Sequence, residues 1–286
     1  MWPDRHRSVA DASPNVGAVS PTSPHPVTVR DCHVCGSGRT SERSARWEAD
    51  MAEIRPARAS DHADVRRIFI ATMVLGAPPD VPGLDTEAYA RLCLDWYLHR
   101  GDAYVVEQDD RVKGYLLCCL DERDHGRWSR RAGMRWFIAS IPALVGLRGG
   151  WRQGGRLRRF LRLRVVDGWR AFRHAPPPPH PAHAHFNLEA GVRGNDIGHR
   201  LAAVMDALVA ARGFDGWYGE MNFPEGMPTE ALTRAGAVLG HRQRSATFSW
   251  LAGVAVFRTR VARPLAGRTA AFRDRAARET TPAAAA

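Results

Sequence analysis

Between residues 180 and 201 the chain reads HPAHAHFNLEAGVRGNDIGHRL, and residue types that can do chemistry crowd into it. Read as a strand, it places His183, His185, Asn187 and Glu189 on one face, because side chains alternate between faces. Imidazoles titrate near pH 6.5 and suit proton transfer at neutral pH. The strand then enters Val192-Arg193-Gly194-Asn195-Asp196-Ile197-Gly198, a glycine-punctuated turn that opens a helix. The first N–H groups of a helix have no internal partner, and with the helix dipole they attract an anion, most readily a phosphate. Gly194 and Gly198 let a ligand approach the backbone closely, and Arg193 and Arg200 add positive charge. The plainer alternative is a tight strand–helix connection capped by Asp196, with His185 a structural histidine bonded within the sheet.

The elements around this stretch must position it. Residues 54–57 read as a short strand. Ser60-Asp61-His62-Ala63-Asp64 is a capping signal ahead of Val65, Ile68, Phe69, Thr72 and Met73, which are spaced for one helical face. A Pro/Gly loop over 76–83 leads to a second helix over 86–99, with Tyr89, Leu92, Cys93, Trp96 and Tyr97 on its apolar side. Residues 104–107 and 112–120, joined through Asp109-Asp110-Arg111, form a hairpin. The strand 183–189 precedes a long helix whose stripe is Ile197, Leu201, Val204, Met205, Leu208 and Val209, ending at Gly213. A strand over 217–221, a short helix over 229–235 and a final strand over 246–251 complete the pattern. This order predicts an α+β fold with one central sheet.

Composition sets bounds on partners. The 286 residues are 44% hydrophobic and 25% charged, enough to fill a core, and the net charge of +11 suits an anionic partner such as a nucleotide-bearing cofactor. Five cysteines, two of them adjacent at Cys118 and Cys119, read as core thiols in a reducing compartment. No apolar run approaches the roughly 18 residues that span a bilayer, and no signal peptide is evident, so a cytoplasmic location is expected. Residues 1–51 show no hydrophobic period and are expected to form a disordered leader, with Met51 the start of the folded pattern. Cys32-His33-Val34-Cys35 lacks a second ligand pair, so no metal site is expected.

Three pieces carry a resemblance to the GNAT acyltransferase superfamily. "EIRPARASDHADV" resembles its opening strand and helix, "AYVVEQDDRVKGYLL" its second and third strands, and "VRGNDIGHRL" its acyl-CoA pyrophosphate loop. "PAHAHFNL" is similar to the branch that includes the acetyltransferase-like domains of O-GlcNAc hydrolases, and "EMN" at 220–222 resembles the end of the fifth strand. The resemblance covers residues 52–252, less an insertion over 121–182. It implies a central mixed, mostly antiparallel sheet flanked by helices, with the helical insertion between the third and fourth strands. It also implies direct transfer of an acyl group from acetyl-CoA, as co-substrate, to a small-molecule or peptide amine. Backbone groups of Leu188, Glu189 and Ala190 would bind the pantetheine arm. Arg193, Gly194, Asn195, Asp196, Ile197, Gly198 and His199 would hold the pyrophosphate. His185 stands where the family carries a base, with Glu220 the second candidate. The chain departs from the family pattern at Asp196, usually glycine, at Glu225, usually asparagine, at Leu232, usually the tyrosine that protonates the leaving thiolate, and at Ala237. A relative that binds a ligand or partner without transfer is the alternative.

The insertion offers a different class. Arg152, Arg156, Arg158, Arg159, Arg162 and Arg164 interleave with Trp151, Leu157, Phe160 and Leu161, a basic amphipathic pattern over 127–173 that suits anionic lipid or nucleic acid. The favoured reading is a cap over the acceptor site, its apolar side packed and its arginines solvated. A basic Ala/Arg-rich tail is expected over 253–286.

Overall fold

The computed structural model describes residues 52–144, 154–193 and 196–265. The leader with Met51, Cys32 and Cys35, the pair Trp151 and Arg152, and the tail beyond 265 lie outside them. Seven strands form one sheet: β1 (Glu53–Pro56), β2 (Asp102–Gln108), β3 (Arg111–Cys119), β4 (Ala182–Leu188), β5 (Gly216–Pro224), β6 (Val238–Arg244) and β7 (Val256–Pro264). Their order is β1-β2-β3-β4-β5-β7-β6, and every neighbouring pair is antiparallel except β4 and β5. The described helices are α1 (His62–Thr72), α2 (Thr86–Arg100), α3 (Glu122–Leu144), α4 (Gly154–His174), α5 (Ile197–Ala211), α6 (Glu230–Arg234) and α7 (Ala246–Ala252). This is the mixed α+β architecture expected from sequence, with helices α3 and α4 inserted between the third and fourth strands.

Alternation along β3 and β4 divides the core. Leu116 and Cys118 of β3, with Ala182 and Ala184 of β4, pack against Ile197, Leu201, Met205 and Val209 of α5. Tyr115, Leu117 and Cys119 point the other way, toward Val65, Ile68 and Phe69 of α1 and Tyr89 and Leu94 of α2. Parity therefore sends His183 and His185 to the α1/α2 face, since β4 alternates like any strand.

The insertion is packed onto this face. Phe160 and Leu161 of α4 are buried in the same cluster as Tyr89 and Leu94. The Arg156 and Arg159 guanidinium groups lie 5.3 and 5.1 Å from the ring centre of Trp250, and that of Arg164 5.8 Å from Tyr89. Asp167 accepts from the Ser245 hydroxyl at 2.8 Å and from the backbone N–H groups of Ala246 and Thr247 at 2.7 and 2.9 Å. Its carboxylate thus caps α7 from another helix. Among the described residues no helix is long and apolar enough to cross a membrane.

Two expectations near the C-terminus need correction. Residues 246–251, expected as the final strand, form α7, because Ser245 caps the first turn through Phe248 N–H at 3.2 Å and Asp167 adds two more acceptor bonds. The strands β6 and β7 were not expected, and β7 falls in the stretch expected to be a basic tail. Its arginines are paired within the fold, and Arg258 and Arg263 are only partly exposed. Arg260 is 8% exposed, donates to the carbonyls of Pro176 and Pro177 at 3.0 and 3.1 Å, and lies 5.4 Å from the ring centre of Tyr218.

Candidate functional site

Strands β4 and β5 pair at only two positions, Ala182 with Trp217 and His183 with Tyr218. Beyond them the strands continue to Leu188 and Pro224 without further register, while β3 stays paired to β4 as far as Leu188. One edge of β4 is therefore open from His185 onward. Parallel strands that part in this way leave backbone donors and acceptors facing a cleft.

His185 stands opposite Leu117 and stacks on Tyr115, with ring centres 5.7 Å apart and planes at 16°. Phe69 lies 5.8 Å away on the α1 side. Asn187 Nδ2 donates to the Tyr115 hydroxyl at 2.9 Å, and that oxygen lies 3.3 Å from His185 Nδ1. The Tyr115 hydroxyl, with one donor and two acceptor sites, can meet Nδ1 either as donor or as a second-bond acceptor, so each neutral tautomer of His185 has a partner there. Burial, then the neighbouring His183, pushes the His185 imidazole down to about 4. It is neutral at physiological pH. Neither His183 nor Glu189, which alternation places on its face, bonds it. Tyr115 does.

Glu220 lies on the same face of β5 as Tyr218 and is half exposed. Its carboxylate sits 3.6 Å from Arg258 and 3.9 Å from Arg260, both on β7. It is a solvated ion-pair member rather than an isolated carboxylate.

The expected cofactor-binding residues divide into three groups. Glu189 makes no bond to His185 and pairs with Arg67 at 2.5 Å and Lys113 at 3.8 Å. The Leu188 carbonyl, expected to meet the pantetheine arm, accepts from Arg193 Nε at 2.9 Å. Ala190 opens a 3-10 turn, Ala190–Val192, after which Gly194 and Asn195 lie outside the described residues. Asp196 adopts a left-handed conformation, φ 58°, and its side chain makes no capping bond to α5. The aspartate cap of the plainer alternative is not formed, and among the described residues the N–H groups of Ile197, Gly198 and His199 meet no side-chain acceptor. Ile197 is buried, Gly198 and His199 are exposed, and a Cβ built on Gly198 meets nothing within 4 Å. Arg200 is diverted to the Ala52 carbonyl at 2.8 Å. Of the departures, Glu225 is tied through its N–H to the Ala255 carbonyl at 2.8 Å, and Leu232 sits half-buried on α6.

A second polar cluster lies two residues back along β4. His183 Nδ1 meets Glu122 Oε2 at 2.6 Å, and its Nε2 meets the Tyr97 hydroxyl at 2.6 Å. Tyr218 approaches the same Glu122 oxygen at 3.5 Å. His125, one turn further along α3, has its ring centre 4.8 Å from that of His183. Burial and then the nearby His183 push the His125 imidazole down to about 4. Burial would raise the Glu122 carboxyl, but the His183 hydrogen bond and charge hold it below its ordinary value. Burial drives Tyr97 well above its usual range and the Cys119 thiol up to about 12.

No family model matches the chain, and no curated protein matches it. The chain is similar in structure to SsHAT, at 20% identity and a TM-score of 0.47, over 74% of this chain and 98% of that one. It is similar to a GNAT superfamily phosphinothricin acetyltransferase from Sinorhizobium meliloti in complex with acetyl-CoA. That match has 18% identity and a TM-score of 0.43, over 75% and 88% of the two chains. It is also similar to a Drosophila melanogaster polyamine N-acetyltransferase, at 12% identity and a TM-score of 0.44, over 75% and 100%.

Sequence reasoning located His185, Glu220 and the α5 turn but missed Tyr115, Tyr97, Glu122 and His125. Cys119-x-x-Glu122-x-x-His125 was the available signal: a strand end followed by two polar residues three apart on a helix. The signal straddles Asp121, where the strand pattern ends and the insertion begins, so neither segment carries it whole.

Proposed function

We propose that the chain is an acyl-CoA-dependent N-acyltransferase that transfers an acetyl group from acetyl-CoA directly to an amine. The observation that carries this reading is the parting of β4 from β5 after two paired positions, followed by a helix whose first turn is not capped by the Asp196 side chain. The open edge suits an extended amide-bearing arm, which bonds as a strand does. The bare N–H groups at the start of α5 suit the pyrophosphate. The similarity of "PAHAHFNL" to the O-GlcNAc hydrolase branch points to that same strand.

In this reading the backbone of Leu188, Glu189 and Ala190 aligns the thioester, and Arg193 leaves the Leu188 carbonyl for a phosphate when the ligand arrives. The acceptor ammonium must lose a proton before its nitrogen attacks. His185 is the proposed base. Its Nε2 is free to accept only in the tautomer whose Nδ1–H donates to Tyr115, so Tyr115 positions it. Glu220 is the second candidate, moderated by Arg258 and Arg260. The thiolate of the departing CoA takes a proton from water, since Leu232 supplies none. The insertion serves as the acceptor-side cap, a role favoured by the burial of Phe160 and Leu161.

A second reading is a relative that binds the cofactor without transfer. It is favoured by the Tyr115 bond at His185 Nδ1 and by the ion pairs on Glu220. Calorimetric titration with acetyl-CoA and CoA, followed by turnover with a panel of primary amines and N-terminal peptides, separates the two. Binding with acylation supports the first reading, and binding without it supports the second. Absence of binding overturns both.

A further inference from the structure

We propose that Cys119, Glu122, His125 and His183 form a binding site for a divalent transition metal ion of the zinc class. This goes beyond the acyltransferase reading and does not depend on it. Among the described residues, these four place one ligand atom each within 4.8 Å of one another. Two local geometries converge to do this. Cys119 and His183 are directly opposed across the antiparallel β3–β4 pair, so their side chains rise side by side from one face. Glu122 and His125 are three apart on the first turn of α3, which puts them on one side of that helix. The helix starts three residues after Cys119, so its first turn sits directly over the strand pair.

The donor set is mixed in the way zinc requires. Thiolate, imidazole and carboxylate ligands bind zinc at about 2.0–2.3 Å, which sets tetrahedral ligand–ligand edges at roughly 3.3–3.8 Å. Closing the site needs movements of about an ångström. The dication would be met by one thiolate and one carboxylate, so the assembled site carries no net charge into the core. The imidazoles supply the neutral ligands.

The outer partners are already in place. His125 Nε2 is engaged by Ser129 Oγ at 3.2 Å, while its Nδ1 is buried with no hydrogen-bond partner. An orphaned buried nitrogen in a folded core is uncommon and calls for an explanation. A metal ion at the cluster supplies one. His183 repeats the pattern, with Tyr97 on Nε2 and Nδ1 aimed at the Glu122 carboxylate. The ion takes the place of the proton held between His183 Nδ1 and Glu122 Oε2. That proton moves to Nε2, where Tyr97 turns from donor to acceptor. The Cys119 thiol proton leaves to solvent. Each metal-bound histidine then donates its second nitrogen to a fixed oxygen, the usual support of such sites. Cys119 is buried and Glu122 partly exposed, so the ion enters past the carboxylate. Four protein ligands leave no open position, which makes the site structural: it pins the root of the insertion to the sheet.

The test uses the full chain carrying Cys32→Ser and Cys35→Ser, which removes the other cysteine pair from play. After equilibration with zinc and dialysis, elemental analysis is expected to find one zinc per chain. Chelator is expected to lower the melting temperature. Cobalt in place of zinc is expected to give the intense visible bands and thiolate charge-transfer band of a tetrahedral site. His125→Gln and Cys119→Ser, each checked for folding by circular dichroism, are expected to abolish retention. Tyr97→Phe is expected to weaken zinc affinity by about 10–100-fold. Retention unchanged by both ligand variants overturns the proposal. So does failure of the otherwise unsubstituted chain to bind zinc or to give the thiolate–cobalt band, a readout that stands even where a ligand variant does not fold.

Discussion

His183 and His185 stand on one face of β4, two residues apart, in opposite circumstances. His183 is 8% exposed and held at both ring nitrogens, by Glu122 and by Tyr97. His185 stacks on Tyr115 and is held at Nδ1 alone, by a longer bond of 3.3 Å, beside the edge where β4 leaves β5. The first sits where the sheet is closed and an inserted helix covers it. The second sits where the sheet opens. Residue type and face are the same, so the neighbours decide the role: satisfied on both sides, a histidine holds structure, and satisfied on one side, it keeps an edge for chemistry.

The sharpest way to break this comparison is to remove each ring in turn. His185→Gln keeps shape and hydrogen bonding but cannot take the proton, so turnover with a responsive amine is expected to fall by about 10²–10⁴, with acetyl-CoA affinity nearly intact. Glu220→Gln is expected to have the smaller effect. Reversal of that order in steady-state kinetics makes Glu220 the base and His185 structural.

His183→Gln is the complementary change. It strands Glu122 and Tyr97, and is expected to cost roughly 2–4 kcal/mol of stability by chemical denaturation. A variant as stable as the parent would mean the cluster at the closed end contributes nothing.

A control outside the strand is Asp167. Burial would raise its carboxyl, but the Thr247, Ala246 and Ser245 donors outweigh that and hold its pKa below the usual value. A carboxylate whose folded-state pKa is depressed stabilises the fold above its unfolded value, about pH 4, and loses that contribution as pH falls through the folded one. Asp167→Asn is expected to lower stability by about 1–3 kcal/mol near pH 7 and to flatten the acid side of the melting-temperature profile. An unaltered acid profile removes Asp167 from the account of α7.

The smallest expected effects lie at the α5 turn. Gly198→Val fills open space beside the first helical N–H groups and is expected to weaken acetyl-CoA binding about tenfold without changing the melting temperature. Asp196→Gly removes a negative charge and a left-handed aspartate, and is expected to leave affinity equal or tighter. Unchanged affinity for Gly198→Val moves the pyrophosphate elsewhere.

Much of the fold was legible where burial imposes a clean period. The helix over 86–99 is observed as Thr86–Arg100, and the strand 183–189 as Ala182–Leu188. The reading failed where tertiary partners override local pattern. "ATFSWL" has the residues of a strand, but Asp167 and Ser245 together cap it into a helix. Arg258, Arg260 and Arg263 made β7 look like solvated tail, whereas Tyr218, Asp206 and the proline carbonyls give those cations partners inside the fold. The candidate site was half legible. Alternation gave the face of His185, but its bond to Tyr115 depends on the β3–β4 register, which no local pattern encodes. The metal-type cluster joins residues more than sixty positions apart, and only strand pairing brings them together.

The bond between Asp167 and the start of α7 also sets an order of events. The two ends of that contact lie 78 to 80 residues apart in the chain. At about 5–20 residues per second, Asp167 leaves the ribosome on the order of 4–16 s before its partners exist. During that interval α4 carries a carboxylate aimed at nothing, and the faces of Phe160 and Leu161 have α2 but no α7 to close over them. The insertion is therefore made early and fastened late, so the last quarter of the chain decides when the first three quarters stop rearranging.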